Sequence, residues 1–261
     1  MGTVFKKHFT PLLQNKKMAK IFISGSSDGL GLLAAQSLMN MGHRVVMHAR
    51  NEERKEALIK KFAKAENILI GDLSKQNEII RLAEDANGFG KFDAVIHNAG
   101  VYNASAKDIF TVNVLAPYML TCLMQASQRL IYVSSDMHLG GQSHLEKETF
   151  PTNQMTYSDS KLLLLMLCKA FANKWNKRYI NALHPGWVPT KMGGKGAPDD
   201  LKKGYETQVW LAVSEEAAVK VSGEYFFHLK KSNYHKQADD VELQAKLIAH
   251  CEKISAVQFN L

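Results

Sequence analysis

Lys20-Ile21-Phe22-Ile23-Ser24 runs straight into Gly25-Ser26-Ser27-Asp28-Gly29-Leu30-Gly31, and the reading of this stretch decides the fold. Two isoleucines flanking a phenylalanine ahead of a glycine cluster read as a buried strand. From Leu30 to Met41 the apolar residues recur at helical spacing, so the glycines join a strand to a helix. Such a turn lets backbone come close to a pyrophosphate. The helix N-terminus behind it supplies free N–H groups and a positive dipole end. The spacing is G-x-x-x-G-x-G, not the commoner dinucleotide pattern G-x-G-x-x-G, so the context of the turn carries the reading.

Working outward, the same rhythm repeats. Arg44 to His48 reads as a second strand, followed by a charged helix from Glu52 to about Lys64. Ile68–Ile70, Ala94–His97 and Leu130–Val133 read as further strands, separated by helices over Lys75–Ala86 and roughly Lys107–Ser127. Met155–Trp175 is predicted helical and Tyr179–Leu183 a strand, with a last strand at Glu224–His228 and a last helix at Asp239–Ile254. Alternating strands and helices predict an α/β fold, a Rossmann-type doubly wound parallel sheet of about seven strands with helices on both faces. Gly186, Pro189, Gly193, Gly194, Gly196 and Pro198 fall close together after the sixth strand and mark a loop suited to closing over a substrate. No repeat or linker divides the chain, which predicts one domain.

The chain has 261 residues, 46% hydrophobic and 22% charged, long enough to bury about three quarters of its unfolded surface. This composition excludes a disordered chain, a collagen-like repeat and a disulfide scaffold. Of the net charge of +8, half comes from Lys6, Lys7, Lys16 and Lys17 in a segment without acids. Residues 1–17 therefore read as a basic extension and 18–261 as the catalytic domain, whose modest charge does not call for nucleic acid. Cys122, Cys168 and Cys251 lack metal or disulfide spacing, and His138 and His144 lack ligand spacing, so no metal is expected. The longest apolar run, Leu162 to Cys168, is too short to span a bilayer, and no signal peptide is visible, which predicts a cytoplasmic protein. That run makes a helix apolar nearly all round, with one face for the sheet and the rest for core or a subunit interface, and a homodimer or homotetramer is expected.

The tip of the second strand selects the dinucleotide. An acid there would bind a ribose 2′-hydroxyl, whereas an Arg accommodates a 2′-phosphate. Val46-Met47-His48-Ala49-Arg50 has no acid and ends on Arg50, favouring NADP(H) over NAD(H). Asp28 opposes this weakly, because a carboxylate beside a phosphate raises its binding cost.

At this point the motifs resemble, in register, those of the short-chain dehydrogenase/reductase superfamily. Ser24-Gly25 through Gly31 resembles T-G-x-x-x-G-x-G, with Ser24 for Thr, and Asp72-Leu73 resembles the adenine-contacting pair. Asn98-Ala99-Gly100 is similar to N-N-A-G, with His97 for the first Asn. Asn113, Ser134-Ser135, Tyr157-Ser158-Asp159-Ser160-Lys161 and Pro185-Gly186-Trp187-Val188-Pro189-Thr190 follow in order. The interval from Ser135 to Tyr157 is longer than usual. With Gln208–Ala212 and Ser222–Phe226, it resembles the retinol-dehydrogenase-like branch, which implies a carbonyl or alcohol substrate on an apolar skeleton.

Tyr157 and Lys161 stand four residues apart, on one face of a helix. An ammonium beside the phenol is expected to lower its ordinary pKa of about 10 towards neutrality. The resemblance implies that Ser135 binds the substrate oxygen and that Lys161 also holds the nicotinamide ribose. It implies that Asn113 keeps a water in the proton relay and that Thr190 binds the carboxamide. Gly25, Ser26, Ser27, Asp28, Gly29, Leu30 and Gly31 would then cradle the cofactor from the turn. Arg50, Asp72, Leu73, Asn98, Ala99, Gly100, Pro185, Gly186 and Val188 would complete its site. Ser134 reads as structural. A dinucleotide-binding sensor on the same fold is the competing function, and the presence of all four catalytic candidates speaks against it.

Overall fold

The computed structural model describes residues 18–62, 67–146, 150 and 152–259. The predicted basic extension, 1–17, lies outside the described residues. The strands are β1 (Lys20–Ile23), β2 (Arg44–Ala49), β3 (Asn67–Ile70), β4 (Ala94–His97), β5 (Arg129–Val133), β6 (Tyr179–His184), β7 (Tyr225–Phe227) and β8 (Lys230–Lys231). They form one sheet in the order β3-β2-β1-β4-β5-β6-β7-β8, with every neighbouring pair parallel except β7 and β8. The strand order reverses direction between β1 and β4, opening a crevice at the carboxyl ends of these strands, the ligand position in doubly wound sheets.

The helices are α1 (Gly29–Asn40), α2 (Glu52–Lys61), α3 (Gln76–Gly88), α4 (Ala106–Phe110), α5 (Ala116–Leu123), α6 (Tyr157–Lys174), α7 (Leu201–Val213) and α8 (Val241–Ser255). Side chains alternate across β1. Phe22 packs into a core under α3, α5, α6 and α8, whereas Ile21 and Ile23 pack under α1, α2 and α7. Both faces of the sheet are thus covered, which is why its strands read as continuous apolar runs.

Two departures from the expected elements have physical causes. The single helix expected over 107–127 is broken into α4, a π turn at Thr111–Leu115, and α5. Pro117, four residues after Asn113, has no N–H to give the Asn113 carbonyl, and the helix widens there. Beyond the expected last strand, Lys230-Lys231 adds β8, an exposed edge strand whose lysines discourage further pairing. It follows a two-residue turn at His228 and Leu229, whose φ angles are 45° and 66°. Turns of this kind normally announce themselves with Asn-Gly, so this one is hidden in the sequence.

The leucine run keeps its expected burial. Every residue from Leu162 to Cys168 is at most 1% exposed within the single chain. α6 lies on β6 and is covered by α8, the π turn and the 3-10 turn Lys236–Asp239. The tail locks this cover: the Tyr118 hydroxyl donates to the Val257 carbonyl at 2.8 Å, and Phe259 meets Phe171 and Trp175 edge-on. The rest of the run is therefore core within the single chain, one of its two expected uses. No described helix is long and apolar enough to cross a membrane.

Candidate active site

The glycine turn is held by side chains from neighbouring strands. Ser24 Oγ accepts the backbone N–H groups of Asn98 and Ala99, both at 3.1 Å, and Asn98 Nδ2 donates back to the Ser24 and Gly25 carbonyls. Gly25 N–H donates to His48 Nδ1 at 2.9 Å, leaving the Nε2–H of that ring to donate to the Gly71 carbonyl. Burial pushes the His48 pKa down to about 4, so the imidazole stays neutral and keeps this donor–acceptor arrangement. Neither Ser24's bonding role nor His48 stood out in the sequence; a strand-end histidine carries no pattern of its own.

A cleft of about 410 Å³ opens over this turn. Gly25, Ser27, Asp28, Gly29 and Leu30 form its floor, and Arg50, Asp72 and Leu73 close one end. Asn98, Ala99 and Gly100 form the middle, with Tyr157, Lys161, Pro185 and Thr190 at the far end. Other predicted contact residues lie off this surface. Ser26 is buried, donating to the Ile23 carbonyl and accepting the His48 N–H. Gly186 makes the turn over Asp199, and Val188 packs beneath Gly204 of α7. Gly31 also lies below the cleft. A Cβ there would stand 2.3 Å from Asn98 Nδ2 and 2.6 Å from the Gly25 carbonyl oxygen, so α1 can seat against the turn only with glycine. Gly31→Ala is expected to cost at least ~1–3 kcal/mol in urea unfolding by overpacking.

The rim of the cleft is basic and internally paired. Arg50 is bonded to Asp72 at 3.1 Å, with the arginine side chain 65% exposed. Burial opposes ionisation of Asp72, but bonds from Ser74 and Arg50 hold its carboxyl below the usual range. Asp28 caps α1 by accepting Gly29 N–H and is paired with Lys191, whose hydrogen bond is the main cause of its lowered pKa. The repulsion expected between Asp28 and a phosphate is therefore offset within the chain. Arg54 reaches towards Ser27 Oγ at 3.5 Å and, like Lys191, lines the cleft. Both were missed, since a lone cation on a helix or after a threonine resembles any solvated charge.

At the far end, α6 begins with a reciprocal cap between Thr156 and Asp159, which places Tyr157 at the first helical position. The insertion is tied to the same carboxylate, through Gln142 N–H at 2.7 Å and His144 Nε2 at 3.3 Å. Lys161 is buried, with Nζ donating to the Val133 carbonyl at 2.9 Å and lying 5.4 Å from the Tyr157 ring centre. A Cβ on Gly100 would approach that ammonium to 3.2 Å and Asn113 Oδ1 to 3.4 Å, so the third residue of the Asn-Ala-Gly run makes room for both. Asn113 does not line the cleft. Its amide exchanges two bonds with the Val101 backbone, at 2.8 and 3.0 Å, and donates to Ser160 Oγ. Ser135 also lies off the cleft wall, but within hydrogen-bonding reach of the Tyr157 hydroxyl. Ser134 donates to the Lys161 carbonyl, the structural part read from the sequence.

The phenol does not behave as the lysine alone would predict. Burial pushes the Tyr157 pKa up to about 12, against the opposing Ser135 hydrogen bond. Burial also brings Lys161 down to about 8. Both groups lose hydration, and the ammonium is committed to a backbone carbonyl, so desolvation outweighs their mutual attraction.

The profile of the short chain dehydrogenase family matches residues 19–200. An uncharacterized oxidoreductase of Emericella nidulans is 42% identical over 253 residues, covering 92% of this chain and 98% of its own. Human retinol dehydrogenase 13 is 25% identical, covering 91% of this chain and 85% of its own. Among solved structures, a Mycobacterium paratuberculosis protein superposes with a TM-score of 0.77 at 23% identity, covering 93% of this chain and 95% of its own. Gluconate 5-dehydrogenase of Burkholderia cenocepacia, in complex with NADP and tartrate, gives 0.65 at 19% identity, covering 80% and 92%. The fold, the ordered motifs and a relative sharing two residues in five over nearly the whole length lead to one conclusion: the chain is an oxidoreductase-type member of the short-chain dehydrogenase family, with retinol-dehydrogenase-like proteins among its relatives.

Proposed function

We propose that the chain is an NADP(H)-dependent carbonyl reductase or alcohol dehydrogenase in which Tyr157 is the general acid or base. The observation that carries this reading is the meeting of Tyr157 and Lys161, with Ser135 behind the Tyr157 hydroxyl, at one end of a cleft whose other end is a glycine cradle. The cradle fits a dinucleotide: its floor is backbone at the N-terminus of α1, and Arg50, Arg54 and Lys191 stand at its rim. The bound nicotinamide supplies or accepts the hydride. Tyr157 gives its proton to the developing alkoxide, and Ser135 donates a second hydrogen bond to the same oxygen, both matching charge that is largest in the transition state. Lys161 would hold the ribose hydroxyls of the bound cofactor, and Asn113, fixed by Val101 and Ser160, would stand behind it in the proton path. A phenol with a pKa near 12 remains protonated at neutral pH, which supports the reducing direction. Exposed Tyr102, edge-on to Tyr157 at 4.9 Å, and half-exposed Met192 on the cleft support an apolar substrate.

The test is NADPH consumption over aldehydes, ketones and quinones of increasing apolar size. Turnover that rises with apolar size is expected; turnover of none would favour a sensor. For the cofactor, Arg50 is exposed enough to exchange Asp72 for a 2′-phosphate. Arg50→Ala is expected to weaken NADPH binding about tenfold, the scale of one charge-assisted hydrogen bond, with NADH affinity unchanged. Equal affinities for the two cofactors in the wild type, read by fluorescence titration, would sink the NADP(H) preference.

A further inference from the structure

Ser135 sits at the start of a 3-10 turn, Asp136–Gly140, and the third residue of that turn is a fully buried histidine. His138 meets the Ser135 carbonyl twice, through its backbone N–H at 3.2 Å and through Nδ1 at 2.6 Å. On the other side of the ring, Nε2 accepts the backbone N–H of His235 at 3.2 Å. An amide can only donate, so Nε2 is the unprotonated nitrogen and Nδ1 carries the hydrogen given to Ser135. The ring is packed against Tyr225 of β7 with centres 4.8 Å apart, and the Tyr225 hydroxyl stands 3.3 Å from Nδ1 as a second, longer acceptor of its hydrogen. His235 in turn caps the 3-10 turn Lys236–Asp239 by accepting Gln237 N–H, and Lys169 of α6 anchors the same segment through Tyr234 and Asp239.

We propose that His138 is a positioning residue for Ser135, fixing the serine backbone through Nδ1–H while Nε2 ties it to the C-terminal segment at His235. The proposal rests on the reading of Ser135 as the residue that binds the substrate oxygen. The serine hydroxyl has competing partners close by, since Oγ donates to Asp136 at 3.1 Å and accepts Met137 N–H at 3.2 Å. Holding the carbonyl of residue 135 keeps the backbone that carries Oγ in place when the hydroxyl changes partners to meet a substrate. The charged and titratable groups facing the imidazole are Asp136 on its own turn, His235 on the C-terminal segment, Tyr225 on β7 and His184 on β6. Burial, the largest influence, lowers the His138 pKa and keeps the ring neutral.

Two nearly isosteric variants separate the two bonds. Asparagine places an amide nitrogen near Nδ1, and glutamine places an amide oxygen near Nε2. In the full chain, His138→Leu and His138→Gln are expected to lower kcat for carbonyl reduction by at least about tenfold, with NADPH affinity unchanged. His138→Asn is expected to stay within about threefold of wild type. Nitrogen NMR of histidine-labelled wild type should show residue 138 as the neutral Nδ1–H tautomer at neutral pH. An Nε2–H tautomer, an unimpaired Leu variant, or Asn and Gln variants equally impaired would each overturn the proposal. A wild type that reduces no carbonyl would instead sink the assigned function, and the tautomer measurement distinguishes that failure from this one.

Discussion

Tyr157→Phe is expected to lower the turnover of carbonyl reduction by at least ~10²-fold, the usual scale of general acid–base catalysis, and to leave NADPH binding within about twofold of wild type. The argument is one of subtraction. Phenylalanine keeps the ring that packs edge-on against Tyr102 at 4.9 Å and the first-turn position set by the Thr156–Asp159 cap. It removes one hydroxyl, the one hydrogen-bonded to Ser135, and with it the proton proposed to reach the alkoxide. The remaining wall of the cleft, from Gly25 to Thr190, is untouched. Steady-state NADPH consumption and a fluorescence titration measure the two halves separately. Full reductase activity in the variant would remove Tyr157 from the mechanism. Loss of cofactor binding together with activity would point instead to a damaged fold, which thermal unfolding detects.

The parts of this site legible in the sequence are those carried by local chemistry. A strand followed by glycines and a helix sets a backbone turn at a helix N-terminus, and the pair Tyr157 and Lys161 shares a face by helical geometry alone. Strand positions were legible too, because a sheet buried on both faces needs apolar runs such as Ile21-Phe22-Ile23 and Ala94-Val95-Ile96. What could not be read depends on contacts distant in the chain. His48 orients Gly25 from 23 residues away, and Lys191 neutralises Asp28 from 163 residues away. No periodicity reports such pairs. The leucine run of α6 was legible as buried, but not what buries it, since the tail around Val257 and Phe259 carries no helical pattern. The pKa of Tyr157 could not be read for a related reason: a four-residue spacing reports that a lysine is near, not how much water both groups have lost.

Lys161→Met is expected to abolish measurable reduction, a loss of at least ~10²-fold, and at the same time to make the fold more stable by about 1–2 kcal/mol near neutral pH. The gain follows from burial. A lysine whose pKa falls from 10.5 to about 8 is penalised in its charged form, by roughly 3 kcal/mol. Methionine fills a similar channel without a charge. Part of the gain is offset because the Val133 carbonyl, which accepts from Nζ at 2.9 Å, loses its donor. The pH dependence has a definite sign. Below about pH 8 the lysine is charged in both folded and unfolded chains, so the penalty is fully present. Between about 8 and 10.5 the folded chain gives up the proton first; the unfolded chain then binds more protons, and wild-type stability rises with pH. Methionine does not titrate, so the advantage of the variant should be largest at about pH 7 and should shrink by about pH 9.5. Urea unfolding of both proteins at these two values measures it. A variant less stable than wild type at neutral pH, or an advantage that grows with pH, would mean that Lys161 is not a desolvated cation held at a cost for the sake of the site.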